Sequence, residues 1–493
     1  MNKKFVKTAV GTKRITLVFT VLLLLVITSE SFSQYITDEK AQKMDELISK
    51  YVEYGKFNGS VLVAEKGKII LEKGYGMYDF DKKLVNAPDT RFEIGSITKQ
   101  FTSMIIMKLY ERGQIDLNGK LSDYLPYYRK DNADKITIHN LLTHTSGIPN
   151  YTDDRNFMQS EVTKPITPKD LIVNYCSKDL EFEPGSKFNY SNSGYIILGA
   201  VIEEITGKKY KDVLNEEILM PLAMYDTGYE DLTKEMPNRA LGYDRSADGL
   251  KRSRLIDMTI PFAAGAMYST VQDLYKWDRA LYSEKLISNK SKEIMWTPFL
   301  RNYAYGWTVN NFPVNGIEKK LISHSGGIFG FVSNIARVSE DDLVIIALSN
   351  FGAGQSEKLS EDAAKIIYDI PYTIPKRSLS EILMTSSKSK GVSAAVSEFR
   401  ELAKDKDMYE FREGELNNFG YMLLQSGTVK DAIEVFKLNV EMFPESPNVY
   451  DSLGESYMNN GDKELAIKNY KKVLELDPKN ENAANMLKKL ESK

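Results

Sequence analysis

Cysteine is almost absent: Cys176 stands alone in 493 residues. That excludes an internal disulfide, a cysteine-built zinc site and a lipidated cysteine near the N-terminus. Histidine is nearly as scarce. His139, His144 and His324 are the full set and no His-Glu-x-x-His occurs, so no metal site is expected, and no cofactor. An excess of one charge is lacking too. Sixty-five Lys and Arg against 68 Asp and Glu leave a net charge of −3, so nothing electrostatic points to nucleic acid. Beyond residue 28 no apolar run is long enough to span a bilayer. What remains is ordinary globular composition, 42% hydrophobic and 27% charged, with length for roughly three units of about 150 residues.

The first segment reads as an address. Lys3, Lys4, Lys7, Lys13 and Arg14 precede an uncharged run from Ile15 to Thr28, and Ser31-Phe32-Ser33 follows. This order predicts a signal peptide over 1–33 and export to the periplasm or the exterior. The membrane is a partner only if this segment stays uncut.

Residues 36–372 mix strand and helix signals. Ser60–Ala64 and Ile69–Leu71 flank Lys66-Gly67 and predict a hairpin. Ser96–Arg112 has helical spacing and stops at Gly113. Four late runs, Tyr303–Val309, Lys320–His324, Phe331–Val338 and Leu343–Ser349, predict adjacent antiparallel strands. Early strands, central helices and late strands imply an α+β fold: an antiparallel sheet flanked by helices, with an inserted all-helical subdomain. A linker is placed at 373–390, where Pro375 and Ser386–Lys390 change the composition.

The region 391–493 repeats. Gly420 and Gly454 are 34 apart, as are Gly427/Gly461, Ala432/Ala466, Phe436/Tyr470 and Pro444/Pro478. Period and residue types resemble the tetratricopeptide repeat, with units at 415–448 and 449–482 and a capping helix at 483–491. Ala395 and Phe399 keep the second-helix spacing of a degenerate earlier unit. Two repeats are few for a free-standing solenoid, so packing against the preceding domain is expected. A protein partner docked on the repeats is the functional reading; an appendage covering the core is the alternative.

Three motifs carry chemistry. In Ser96-Ile97-Thr98-Lys99 a hydroxyl and an ammonium three residues apart share a helix face. Serine is a weak nucleophile without a base, and a desolvated lysine can be that base. Ser387–Lys390 has the same spelling, but in a polar stretch with nothing to desolvate its lysine. In Tyr190-Ser191-Asn192, positions 190 and 192 project to one side of an extended loop. Tyr190 offers a phenol for proton exchange and Asn192 an amide for substrate. Tyr457-Met458-Asn459 matches too, on a repeat helix where the tyrosine packs. The third motif, His324-Ser325-Gly326-Gly327, ends a predicted strand. Its glycines let a substrate backbone lie close, and a backbone N–H there, with that of Ser96, makes an oxyanion hole.

The order Ser-x-x-Lys, Tyr-x-Asn, His-x-Gly at 96, 190 and 324 resembles the class C β-lactamase and penicillin-binding-protein-like serine hydrolases. So do the phrases Leu141–Ile148, Tyr190–Tyr195, Ala264–Thr270 and His324–Phe331. The resemblance covers about 40–370. It implies a sheet domain and an all-helical subdomain with the site between them. By position it makes Ser96 the acyl-forming nucleophile, Lys99 its partner and Tyr190 the proton shuttle. Asn192, His324 and Ser325 become substrate ligands, and the N–H groups of Ser96 and Gly327 the oxyanion donors. Which of Lys99 and Tyr190 takes the serine proton stays open.

Where β-lactamases carry Lys-Thr-Gly this chain has His324-Ser325-Gly326, and a neutral histidine is a poor carboxylate anchor. His144 is placed in a structural loop, His139 at a loop or helix start, and Cys176 as a small buried residue. The expected function is an exported serine hydrolase acting through an acyl-enzyme on a small peptide or ester, with D-amino-acid, cell-wall-type peptides as the leading class. An esterase on small acyl esters is the alternative. A catalytically inactive binding protein working through its repeats is the alternative from another class.

Overall fold

The computed structural model describes residues 39–246 and 249–492. The signal-peptide reading falls outside them. A six-stranded, wholly antiparallel sheet organises the first domain. Its strands are β1 (Gly59–Glu65), β2 (Lys68–Tyr75), β3 (Thr308–Val314), β4 (Ile317–Ile328), β5 (Phe331–Val338) and β6 (Leu343–Ser349), in the order β3-β4-β5-β6-β1-β2. The first and last strands of this sheet in chain order are therefore neighbours inside it, where β1 pairs with β6 from Gly59↔Ser349 to Glu65↔Leu343.

The central strands are apolar on both faces, as strands covered on both sides must be. Val61, Val63, Ile345 and Ala347 enter one core, and Leu62, Ala64, Ile346 and Leu348 enter another. Four helices matter here: α1 (Glu39–Glu53), α2 (Thr98–Glu111), α3 (Asn192–Thr206) and α4 (Ser356–Ile367). The first core is closed by Met44, Leu47, Ile48 and Tyr51 of α1 and by Leu359, Ala363 and Ile367 of α4. The second is shared with the helical region, where Phe101 of α2 stacks on Trp277 at 4.4 Å.

The predicted hairpin turns at Lys66 and Gly67, both at positive φ (52° and 74°), the pairing that a two-residue turn requires. The late strands differ from expectation in one place. Tyr303–Tyr305 is not strand, and β3 starts only at Thr308 and runs through Pro313. Proline lacks an N–H, and β3 is an edge strand where that loss is tolerated. β3 also stops pairing at Ser323, which leaves one edge of β4 free from His324 onward.

Beyond residue 376 the chain is almost entirely helical. The helices are α5 (Leu379–Lys390), α6 (Val392–Leu402), α7 (Glu413–Gln425), α8 (Val429–Met442), α9 (Pro447–Asn460), α10 (Lys463–Leu476) and α11 (Glu481–Glu491). Most of the segment expected as linker is thus α5. Ser378 caps it, accepting from the N–H of Glu381, and Leu379 and Leu383 bury against α6. The 34-residue spacing has a direct cause. A Cβ on Gly420 would stand 2.5 Å from the Phe436 ring, and one on Gly454 would stand 3.3 Å from the Tyr470 ring, so each first helix makes room for the aromatic of its second.

The helical region has its own cores and meets the first domain mainly through charge. Lys56 pairs with Glu410 and Arg245 with Glu381, while Arg377 lies 5.6 Å over the Tyr54 ring. A largely apolar crevice of about 420 Å³, walled by Val52, Phe57, Met77, Phe80, Leu250 and Met384, lies at this junction.

Candidate active site

The chain reaches Ser96 through a short strand, Phe92–Glu93, and a single 3₁₀ turn, Gly95–Ile97, before α2 begins at Thr98. Gly95 has φ +50°, and a Cβ there would sit 2.9 Å from the Gly327 nitrogen. A Cβ on Gly326 would be 2.0 Å from the Ile94 carbonyl oxygen. Only glycine lets β4 press against the turn that carries Ser96.

Lys99 lies one turn on, wholly buried. Its Nζ is 2.9 Å from Ser96 Oγ, 2.9 Å from Asn192 Oδ1 and 2.9 Å from the Ala264 carbonyl. No carboxylate balances it, and burial holds its pKa well below the usual lysine value. A neutral amine has two N–H groups and one lone pair. Asn192 and Ala264 take the two donors, and the lone pair is left for the Ser96 hydroxyl.

Tyr190 precedes α3 in the loop and Asn192 is the first residue of that helix. The Tyr190 phenol is hydrogen-bonded to Ser96, which lowers its pKa, but burial outweighs this and pushes it up. It therefore stays protonated near neutrality. The Lys99 nitrogen lies 5.0 Å from the centre of the Tyr190 ring and 5.5 Å from that of Tyr195. Ser96, Lys99, Tyr190 and Asn192 thus converge.

His144 supports this loop. Its ring packs on Tyr190 at 4.1 Å, its Nδ1 accepts the Ser191 N–H at 3.1 Å, and its carbonyl accepts the Asn189 N–H at 2.9 Å. Burial above all holds its pKa well below the usual histidine value. Sequence reasoning placed His144 in a structural loop but could not see that the loop's load is Tyr190. Tyr303 was missed altogether. Its hydroxyl meets His324 Nε2 at 2.9 Å, and its ring meets that of His144 at 4.6 Å. No sequence signal marks it, because it belongs to a loop read as strand.

His324 differs from its expected role. It is buried, with Nε2 engaged by Tyr303 and Nδ1 2.6 Å from the Ser325 carbonyl. Burial above all pushes its pKa down to about 4. The ring is a neutral strut behind Tyr190, not a cation facing substrate. Ser325 is exposed, in a surface groove with Gln355, Glu357 and Glu361. Gly327 is exposed and pairs with Val332, next to the Ile328↔Phe331 pair that closes a two-residue hairpin. Hydrogen-bonded and open pairs alternate, so the Gly327 N–H points away from β5, toward Gly95 and the free edge of β4.

A cleft of about 220 Å³ opens on Ser96, Asn192 and Gly327. Tyr151, Met158, Ile256, Pro261, Ile328 and Phe329 wall it, and no charged side chain does. These wall residues have no sequence motif; only the fold assembles them. His139 bonds the Tyr305 hydroxyl at 2.8 Å, and burial pushes the Cys176 thiol up to about 12, so both are structural. Among the described residues no cluster of His, Cys, Asp or Glu has the arrangement of a metal site.

Comparison with known proteins gives this geometry its context. The family model described as Beta-lactamase matches residues 44–368, and that of the Tetratricopeptide repeat matches 452–480. Protein flp of Staphylococcus aureus is 29% identical over 338 residues, 66% of this chain; the match spans 66% of that protein. Penicillin-binding protein 4* of Bacillus subtilis is 29% identical over 360 residues, 69% of this chain and 78% of that one. Among solved structures, a D-stereospecific amidohydrolase from Streptomyces sp. superposes with a TM-score of 0.55 at 25% identity, covering 67% of this chain and 97% of that one. The chain belongs to the Beta-lactamase family of serine hydrolases and carries a tetratricopeptide repeat in its helical C-terminal region.

Proposed function

We propose that the protein is an exported acyl-transfer hydrolase in which Ser96 attacks an amide or ester carbonyl. Lys99, neutral and with its lone pair on the serine hydroxyl, takes the proton. Tyr190, a phenol in the resting enzyme, donates a proton to the leaving group; the water that then attacks the acyl-enzyme gives its proton to the tyrosinate, and Lys99 returns its proton to Ser96 as the acid is released. The N–H groups of Ser96 and Gly327 receive the oxyanion. The observation that carries this reading is the three-way bonding of a buried, unbalanced Lys99.

The substrate class follows from charge. His324 is neutral and tied to Tyr303, so this position lacks the cation that a lysine would supply. That favours D-aminoacyl amides, whose leaving group has no carboxylate, over β-lactams, and the likeness to a D-stereospecific amidohydrolase supports it; the family resemblance keeps cell-wall-type D-peptides in the same class. The apolar walls of the cleft favour a second reading, an esterase on small acyl esters. The basic, then apolar, first 33 residues support export, and the repeats support docking of a protein partner.

Ser96→Ala is expected to abolish turnover and labelling by a fluorophosphonate probe. Serine-directed labelling that persists in this variant rejects the reading. A panel of D-alanyl anilides, D-alanyl-D-alanine peptides and p-nitrophenyl esters separates amidase from esterase by kcat/KM.

A further inference from the structure

The cleft beside Ser96 has no charged wall, yet one cation stands at its mouth. Arg254 precedes the wall residue Ile256 by two positions. Its guanidinium lies 4.4 Å over the ring of Phe329, another wall residue, and donates one N–H to the carbonyl of Met158, a third. The side chain is exposed, and no carboxylate among the described residues pairs with it. Several other arginines of the same domain are paired, as Arg91 is with Asp226 and Arg239 with Glu230.

A guanidinium stacked by its face keeps its in-plane N–H groups free, in the fork that matches a carboxylate. Five donors are available and Met158 uses one. The group bound to Ser96 must stay in the cleft while the leaving group departs and water enters. The walls running from Gly327 through Ile328 to Phe329 therefore contact the acyl part. An acyl chain lying along them meets only apolar surface until it reaches Arg254.

We propose that Arg254 is a specificity-determining residue that selects acyl groups ending in a carboxylate. This rests on the acyl-enzyme reading of Ser96 and names the substrate class of that site. The anion is recognised at the far end of the acyl group, where Phe329 and Met158 hold the guanidinium.

The test compares two esters with one leaving group and equal chain length, mono-p-nitrophenyl glutarate and p-nitrophenyl pentanoate. In the full chain, Arg254→Met keeps an apolar cover on Phe329 and removes the charge. The glutarate-to-pentanoate ratio of kcat/KM is expected to fall at least tenfold, with pentanoate within twofold of the parent. Arg254→Lys should restore part of the ratio, and 0.5 M NaCl should lower it in the parent and in this variant but not in Arg254→Met. Stoichiometric fluorophosphonate labelling of Ser96 verifies that each variant is folded. If Ser96 is labelled and pentanoate is hydrolysed, but both esters change alike or neither changes, the role of Arg254 is overturned and the acyl-enzyme reading stands. If the parent takes no label and hydrolyses neither ester, both fall together.

Discussion

The two halves of this chain are built on opposite plans. The helical C-terminal region makes its contacts between neighbours: Gly420 meets Phe436, Gly454 meets Tyr470, and each pair lies within one helical hairpin. The catalytic domain makes its decisive contacts across the chain. Lys99 meets Asn192 and Ala264, and Gly95 meets Gly327. Local contacts leave a period that can be read from a sequence, whereas distant ones leave only short, separate motifs. The comparison also explains why the halves meet through ion pairs such as Lys56–Glu410: each already buries its own core.

The sharpest way to break the comparison is Lys99→Met. It removes the amine from Ser96 without touching the repeats, and kcat is expected to fall by about 10³-fold or more while the melting of the helical region is unchanged. Retention of more than a tenth of the activity would place the base elsewhere.

Glycine-to-alanine changes set the two plans side by side. Gly326→Ala drives a Cβ into the Ile94 carbonyl and separates β4 from the nucleophile turn. A loss of about 10²-fold in kcat/KM is expected, as for a lost oxyanion donor. Gly420→Ala presses only on Phe436. Here the expectation is about 1–3 kcal/mol of stability, read by calorimetry, with kcat unaltered. Equal losses of activity in the two variants would show that the halves are coupled.

A smaller effect probes the support of Tyr190. His144→Phe keeps a ring against Tyr190 but removes the acceptor for the Ser191 N–H. About a tenfold fall in kcat is expected, larger than any change in KM. His144→Asn, which retains an acceptor and tolerates the positive φ of 56° at this position, should recover part of it.

The smallest effect is in pH. His324 titrates near 4 in the folded protein and near 6.5 unfolded. Between these values the unfolded chain binds the proton and the folded one does not. Its contribution is therefore complete above about pH 6.5 and is lost as pH falls toward 4. From pH 7 to 5 this amounts to about 2 kcal/mol, and His144 acts in the same direction. The repeats contain no histidine, so only the catalytic domain should lose melting temperature over this range. His324→Gln should flatten the slope; an unchanged slope would assign it to other groups.

Much of this molecule was legible before any coordinates. The Lys66-Gly67 hairpin, the helix after Ser96, strands β5 and β6 and the repeat period all follow from local pattern. The segment around residues 303–314 was misplaced because Tyr303 to Tyr305 looks like a strand and Pro313 does not, until β3 proves to be an edge. The segment 373–390 reads as a boundary with some helix allowed because Ser386–Lys390 is polar, and most of it is α5, which needs only its buried Leu379 and Leu383 to hold.

Residue types and spacing alone determined the proposed reacting groups. A serine and a lysine three apart share a helix face whatever surrounds them, and a 34-residue period dictates paired helices. Tertiary structure decided what those groups can do. Whether Lys99 is a base depends on burial without a counter-ion, whether His324 is a cation depends on its burial, and whether a cleft has a charged end depends on where Arg254 comes to rest. Proton affinity and electric field are set by neighbours in space, and a linear sequence does not list those.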